Sequence, residues 1–247
     1  MADKYQGLMT YKIDIALVID ATGSMGPFMD KVKADIVKIP AIIRNGFEQV
    51  GKIVESMRIR VIDFGDYGFD GSDAIHQTEF FDVETEGEKI IDAVNNIRYE
   101  KRGGDVPDNG LEALYEAMAS DWVEPKPNGR QIIILVTDAP PLDFGERAGC
   151  DGYDKGRYPK TLEELEEIWG QLDLVGGEPK IKLCLPRARM FLVAPQGIVA
   201  DHTWDEVAKW EWVSFYSVEP GKGADVSIAD VIENDIGFIV HSSFIRW

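Results

Sequence analysis

Ile13-Asp14-Ile15-Ala16-Leu17-Val18-Ile19 runs directly into Asp20-Ala21-Thr22-Gly23-Ser24, and that join governs how the rest of the chain is read. The first half is the near-continuous apolar run of a strand buried on both faces, the kind found inside parallel sheets. The second half ends that strand in a carboxylate and then places hydroxyls at alternate positions. On an extended turn, Asp20, Thr22 and Ser24 point the same way, so three side-chain oxygens converge. Hard divalent cations take oxygen ligands of this kind, Mg²⁺ in near-octahedral geometry with several waters retained. The plainer alternative is a turn in which Asp20 and Thr22 bond nearby backbone amides.

Working outward, further apolar runs at Ile59–Phe64, Ile132–Val136, Met190–Val193 and Val213–Val218 predict four more strands. Helical periodicity lies between them. Phe28, Val32, Ile36, Ile39 and Ile43 form the stripe of a long helix that Pro40 kinks or ends. Ile90, Val94 and Ile97 mark a second helix. Leu111, Leu114, Tyr115 and Met118 mark a third, and Leu162, Leu165, Ile168 and Trp169 a fourth. Trp204, Val207 and Ala208 give a fifth, and Val226, Val231 and Ile232 a last one. Thr85/Glu88, Thr161/Glu164 and Thr203/Glu206 carry the spacing of capping boxes at helix starts. The alternation predicts an α/β fold with a Rossmann-like, doubly wound, mostly parallel sheet and helices on both faces. His76–Phe81 reads as one antiparallel edge strand. Residues 1–247 read as a single domain, with an irregular Gly- and Pro-rich insertion at about 139–188 over the carboxyl edge of the sheet.

Bulk properties narrow the function. A net charge of −18 argues against nucleic acid as a partner, because phosphate backbones are bound with Lys and Arg. No apolar stretch approaches the roughly 20 residues of a membrane span, and Met1–Gly7 lacks the pattern of a secretory signal. Two cysteines, Cys150 and Cys184, are too few for a disulfide framework or a four-thiolate zinc site. The expected location is the cytoplasm, with no membrane partner.

Asp138 follows the run Ile132–Thr137. If the strands adopt the usual doubly wound order, Asp20 and Asp138 become neighbours at the switch point where such sheets bind ligands. Two carboxylates in a partly dry crevice repel, and a cation between them removes the penalty. Arg102-Gly103-Gly104-Asp105-Val106-Pro107-Asp108 presents Asp105 from a glycine-rich turn ahead of the third helix.

These three segments, in this order and spacing, resemble the von Willebrand factor type A domain, whose metal-ion-dependent adhesion site commonly reads D-x-S-x-S. The middle segment resembles the G-G-D-x-P-E loop of a bacterial and alpha-kinase-linked subgroup. The resemblance implies Asp20, Thr22, Ser24, Asp105 and Asp138 as the metal site, with Thr22 and Ser24 ligating directly and Asp20 and Asp138 partly through water. It implies Mg²⁺ or Mn²⁺, with Ca²⁺ ranking behind. It also implies a non-enzymatic module that binds a protein partner's Asp or Glu, and family analogy suggests an ATPase or kinase. Asp108 stands where the loop pattern has Glu, and its shorter side chain confines it to supporting the ligands. Asp63, Asp66, Asp70 and Asp73 do not fit a calcium-loop spacing and read as a solvated acidic turn, although Asp66 could line the crevice. Two other readings stay open. A metal-dependent hydrolase such as a phosphatase would want an acid–base partner, yet His76, His202 and His241 lie outside the three loops. A scaffold with a vestigial site would bind through the insertion or the aromatic tail Phe238–Trp247.

Overall fold

The computed structural model describes residues 10–99, 107–123, 128–172, 181–198, 202–222 and 226–241. Its centre is a seven-stranded sheet. Five long strands, β1 (Thr10–Asp20), β2 (Ile53–Phe64), β5 (Gly129–Val136), β6 (Ala188–Pro195) and β7 (Val213–Val218), are parallel neighbours in the order β2-β1-β5-β6-β7. The edge stretch expected as one antiparallel strand is two short ones, β3 (Ile75–Gln77) and β4 (Phe81–Asp82), both antiparallel to β2. Chain order turns back at β1, which has β2 on one side and β5 on the other. The carboxyl ends of β1 and β5 therefore flank the switch point, as the sequence implied.

Strand period sorts the core into two layers. Ile13, Ile15, Leu17 and Ile19 of β1 join Ile132, Ile134 and Val136 of β5 on one face. There they meet α1 (Gly26–Ile36), α2 (Ile39–Gln49), α4 (Gly87–Asn95), α8 (Ile228–Asn234) and α9 (Ile236–Val240). Ala16, Val18, Ile133 and Leu135 face the other way, against α5 (Gly110–Met118), α6 (Leu162–Trp169) and α7 (Thr203–Val207). A short α3 (Tyr67–Asp70) follows β2 at the carboxyl edge. Among the described residues, no helix is long and apolar enough to cross a membrane.

The single helix expected over Phe28–Ile43 is two, α1 and α2, and Pro40 opens the second because its missing N–H costs nothing in a first turn. Of the three capping boxes, Thr161/Glu164 forms in its hydroxyl half: the Thr161 hydroxyl accepts from the Glu164 amide, while the Glu164 carboxylate accepts from the Lys160 amide, one residue before the cap. Thr85 lies ahead of α4 and donates instead to Asp82, whose Oδ1 also gathers the amides of Glu84 and Thr85. Thr203 is itself the first residue of α7, one position too late to cap it. Ser227 caps α8 by accepting from the Asp230 amide.

Two buried guanidiniums secure the end of the described chain. Arg130 Nε donates to the Ile239 carbonyl (2.8 Å), Arg189 Nε donates to the Phe238 carbonyl (2.7 Å), and both reach the His241 carbonyl. They thereby satisfy carbonyls that the last turn of α9 leaves over. Of the aromatic tail, Phe238 is partly buried against the core, while Phe244 and Trp247 lie outside the described residues.

Candidate metal site

β1 ends at Asp20, and the Ala21 amide bonds to the Phe64 carbonyl, which carries the sheet one step past the last strand residue. A 3-10 turn, Gly23–Met25, then leads into α1, with Thr22 extended at its start (φ −79°, ψ 165°). That turn folds the hydroxyls back over the carboxylate. The Thr22 amide and hydroxyl both donate to Asp20 Oδ1, at 2.8 and 2.6 Å. Thr22 Oγ1 and Ser24 Oγ lie 3.2 Å apart, and Ser24 Oγ donates to Asp138 Oδ1 at 2.8 Å across 114 residues. Four of the five residues singled out from the sequence (Asp20, Thr22, Ser24 and Asp138) thus meet at the switch point. Asp105, the fifth, lies outside the described residues.

The turn hydrogen bonds expected of the plainer reading are present. They do not account for Asp138, brought in from the end of another strand, nor for the charge left over. Asp20 and Asp138 are fully buried. Burial is the main cause that pushes Asp20 up to about 6; the hydroxyls of Thr137 and Thr22 and the Thr22 amide pull the other way, and the Asp138 charge adds to the rise. Asp108, also buried, is pushed up to about 8 by burial and then by the charges of Asp20, Asp66, Asp138 and Asp70. Its Oδ1 has no hydrogen-bond partner. Carboxylates held this far from water favour a bound cation.

Among the described residues, no three acidic, His or Cys side chains form a ready-made metal cage. The donor set is instead two carboxylates and two hydroxyls. Each hydroxyl proton points at a carboxylate, which leaves hydroxyl lone pairs free, a chemistry that fits a hard cation retaining waters. The N-terminus of the eleven-residue α1 lies immediately beyond.

Sequence reading missed three supports. Thr137 Oγ1 donates to Asp20 Oδ2 at 2.7 Å and accepts from the Ala139 amide at 3.0 Å, so it fixes the far side of the Asp20 carboxylate. The signal was a hydroxyl residue directly before the strand-end Asp138. Asn109, fully buried, accepts from the Tyr67 amide at 2.9 Å and donates to Glu112 at 3.0 Å. Arg147 is the third, and with it comes a correction. Asp66 is fully buried and not part of a solvated turn: it caps α3 through the Gly68 amide and is gripped by Arg147 Nε and Nη2, each at 2.6 Å. Asp63 is buried as well and faces His76 at 3.2 Å. No local pattern could reveal a counter-ion 81 residues away.

Arg147 belongs to the insertion, which packs against α3 and α5 over the carboxyl edge. Tyr153 donates to Glu112 at 3.0 Å, Arg157 pairs with Glu116, and the Tyr158 and Tyr67 hydroxyls meet at 2.8 Å. Gly152 (φ +77°) approaches so closely that a Cβ there would sit 2.4 Å from the Ser72 Cα.

Comparison with known proteins agrees with this architecture. Over 144 residues the chain is 25% identical to alpha-protein kinase vwkA of Dictyostelium discoideum, a match covering 58% of this chain and 21% of that protein. The pilus adhesin SpaC of Lactobacillus rhamnosus GG, in its open conformation, superposes with a TM-score of 0.53 at 14% identity, over 93% of this chain and 30% of that one. Proximal thread matrix protein 1 from the mussel byssus superposes with a TM-score of 0.51 at 11% identity, over 94% of this chain and 46% of that one. This chain therefore spans less than half the length of each, and at these identities the two structures bear on the fold alone. The sequence model of the von Willebrand factor type A domain matches residues 14–165, which include most of β1, the Asp20–Ser24 turn, α5 and Asp138, and the chain belongs to that family.

Proposed function

We propose that this domain is a protein-binding module whose Asp20, Thr22, Ser24, Asp105 and Asp138 hold Mg²⁺ or Mn²⁺ and recognise an Asp or Glu side chain of a partner. The family commonly serves protein–protein interaction and adhesion, which sets the class. The observation that carries the finer reading is the Ser24–Asp138 hydrogen bond of 2.8 Å beside the Thr22–Asp20 pair. It joins the ends of β1 and β5 through oxygens alone. When bound, the cation supplies positive field to an external carboxylate. The chain's own residues do the rest: Thr137 orients Asp20, Ser24 orients Asp138, and the 3-10 turn that follows Thr22 keeps both hydroxyls beside the two carboxylates. Among the described residues, the ring hydrogen bonds of the histidines go to carboxylates other than Asp20 and Asp138. His76 faces Asp63 and His202 faces Asp205. The similarity to an alpha-protein kinase makes a kinase an eligible partner.

Calorimetric titration of the EDTA-stripped protein with MgCl₂ and MnCl₂ tests the site. Saturable binding is expected, and Asp138→Ala should abolish it; a wild-type protein that takes up neither ion at millimolar concentration refutes the proposal. Panning a peptide library with Mg²⁺ and again with EDTA tests the partner. Acidic sequences should be enriched only with metal, and metal-independent enrichment would contradict carboxylate recognition.

A further inference from the structure

Among the described residues, the buried aspartates Asp20, Asp66, Asp108 and Asp138 lie at the carboxyl edge near the switch point, and all but Asp108 have donors to their side chains. Asp66 has Arg147, Asp20 has the hydroxyls of Thr22 and Thr137, and Asp138 has the Ser24 hydroxyl. Asp108 differs. It is 2% exposed, its Oδ1 meets no donor, and the charges that act on it are those of Asp20, Asp66, Asp138 and Asp70.

Its backbone is held on both flanks. The Asp108 amide donates to the Pro140 carbonyl at 3.2 Å, and its carbonyl accepts from the Leu142 amide at 2.7 Å and the Gly110 amide at 2.9 Å. These bonds clip it to the segment just after Asp138. On the other flank, the Asn109 amide donates to the Gly65 carbonyl at 3.1 Å, and the Tyr67 amide donates to Asn109 Oδ1. The backbone is thus pinned between the loops that follow β2 and β5. A buried acceptor left without a donor is costly, and a fold that equips its neighbours so fully leaves this oxygen open for a ligand the protein itself does not supply.

We propose that Asp108 is a fourth acidic member of the site, a positioning residue whose free oxygen accepts a hydrogen bond from water carried by the bound cation. The inference rests on the metal-site reading above. Bridging through water suits an aspartate at this position, whose side chain is one methylene shorter than the glutamate of the resembling loop. The residue would hold the ion's hydration shell on the α5 side and leave the Thr22–Ser24 side to the partner.

Mg²⁺ titration of the EDTA-stripped full chain, with a thermal melt in EDTA and in Mg²⁺, tests this on wild type, Asp108→Asn, Asp108→Ser, Asp108→Glu and Asp138→Ala. Asp108→Asn and Asp108→Ser should weaken Mg²⁺ binding about 10- to 100-fold, the usual effect of losing a group that orients a metal's ligands. Their metal-free melting temperature should hold or rise, because a buried carboxylate without a donor has been removed. Asp108→Glu should retain binding. Unchanged Mg²⁺ affinity in both Asp108→Asn and Asp108→Ser, with Asp138→Ala inactive, overturns the role of Asp108 alone. A metal-free melting temperature that falls in both, with an unchanged Mg²⁺-induced rise, makes the residue merely structural and also overturns it. Wild type that binds no Mg²⁺ overturns the metal site and this inference together.

Discussion

Replacing Arg147 by alanine should destabilise the domain by about 3 kcal/mol, the low end of the 3–5 kcal/mol typical of breaking a buried pair. Asp66 is fully buried, and Arg147 grips both of its oxygens at 2.6 Å. Truncation leaves the carboxylate with the Gly68 amide as its one remaining side-chain donor described above. The Arg147 side chain is 22% exposed, so water can enter the space it vacates, which selects the lower figure. For a chain of this size, ~3 kcal/mol corresponds to a melting-temperature drop of roughly 6–12 °C. Urea and thermal melts of the metal-free protein measure it. Adding Asp66→Asn, which removes the charge but keeps an oxygen for the Gly68 amide, should recover most of the loss. The insertion keeps its Tyr153 and Arg157 anchors in both variants, so the comparison isolates the buried charge. If Arg147→Ala loses less than ~0.5 kcal/mol, or the double variant is no better than the single, the reasoning fails.

Thr137→Val should weaken Mg²⁺ binding about 10- to 100-fold by freeing Asp20 Oδ2, and calorimetry showing wild-type affinity would contradict that role. Asp35, buried beneath the start of α8, gives the pH test. Burial alone would raise its carboxyl, but hydrogen bonds from Lys38, the Ser227 hydroxyl and the Ala229 amide outweigh it and hold it below its ordinary 3.8. Because the folded carboxyl titrates below its ordinary value, the stabilisation is fully present above the ordinary 3.8 and is lost as pH falls from there through the lower, folded value. The stability gap between wild type and Asp35→Asn should therefore be widest near neutral pH and close in strong acid. Urea melts showing a constant gap would count against it.

The strands and their switch point were legible because β1, β5 and β6 are apolar on both faces, a pattern that leaves few alternatives to a covered parallel sheet. Asp20 and Asp138 were legible for the same reason, as charged residues that end apolar runs. Local capping was not, since Asp82 outcompetes Thr85 for the amides ahead of α4. Nor could the sequence show that the acidic turn at Asp66 is interior, because its counter-charge arrives from the insertion. For Asp108 only a supporting role was read, on side-chain length; its burial and its oxygen without a donor go with backbone hydrogen bonds to Pro140 and Leu142, tertiary contacts that no local pattern shows.

The paired guanidiniums of Arg130 and Arg189 carry a consequence of their own. Burial pulls them down to about 10 and about 9, so both stay cationic in neutral solution. What they grasp at α9 is peptide oxygen, which does not titrate, and they do so where dissolved ions hardly penetrate. Concentrated salt or mild acid that strips this acidic molecule of its superficial ion pairs should therefore leave that terminal latch fastened.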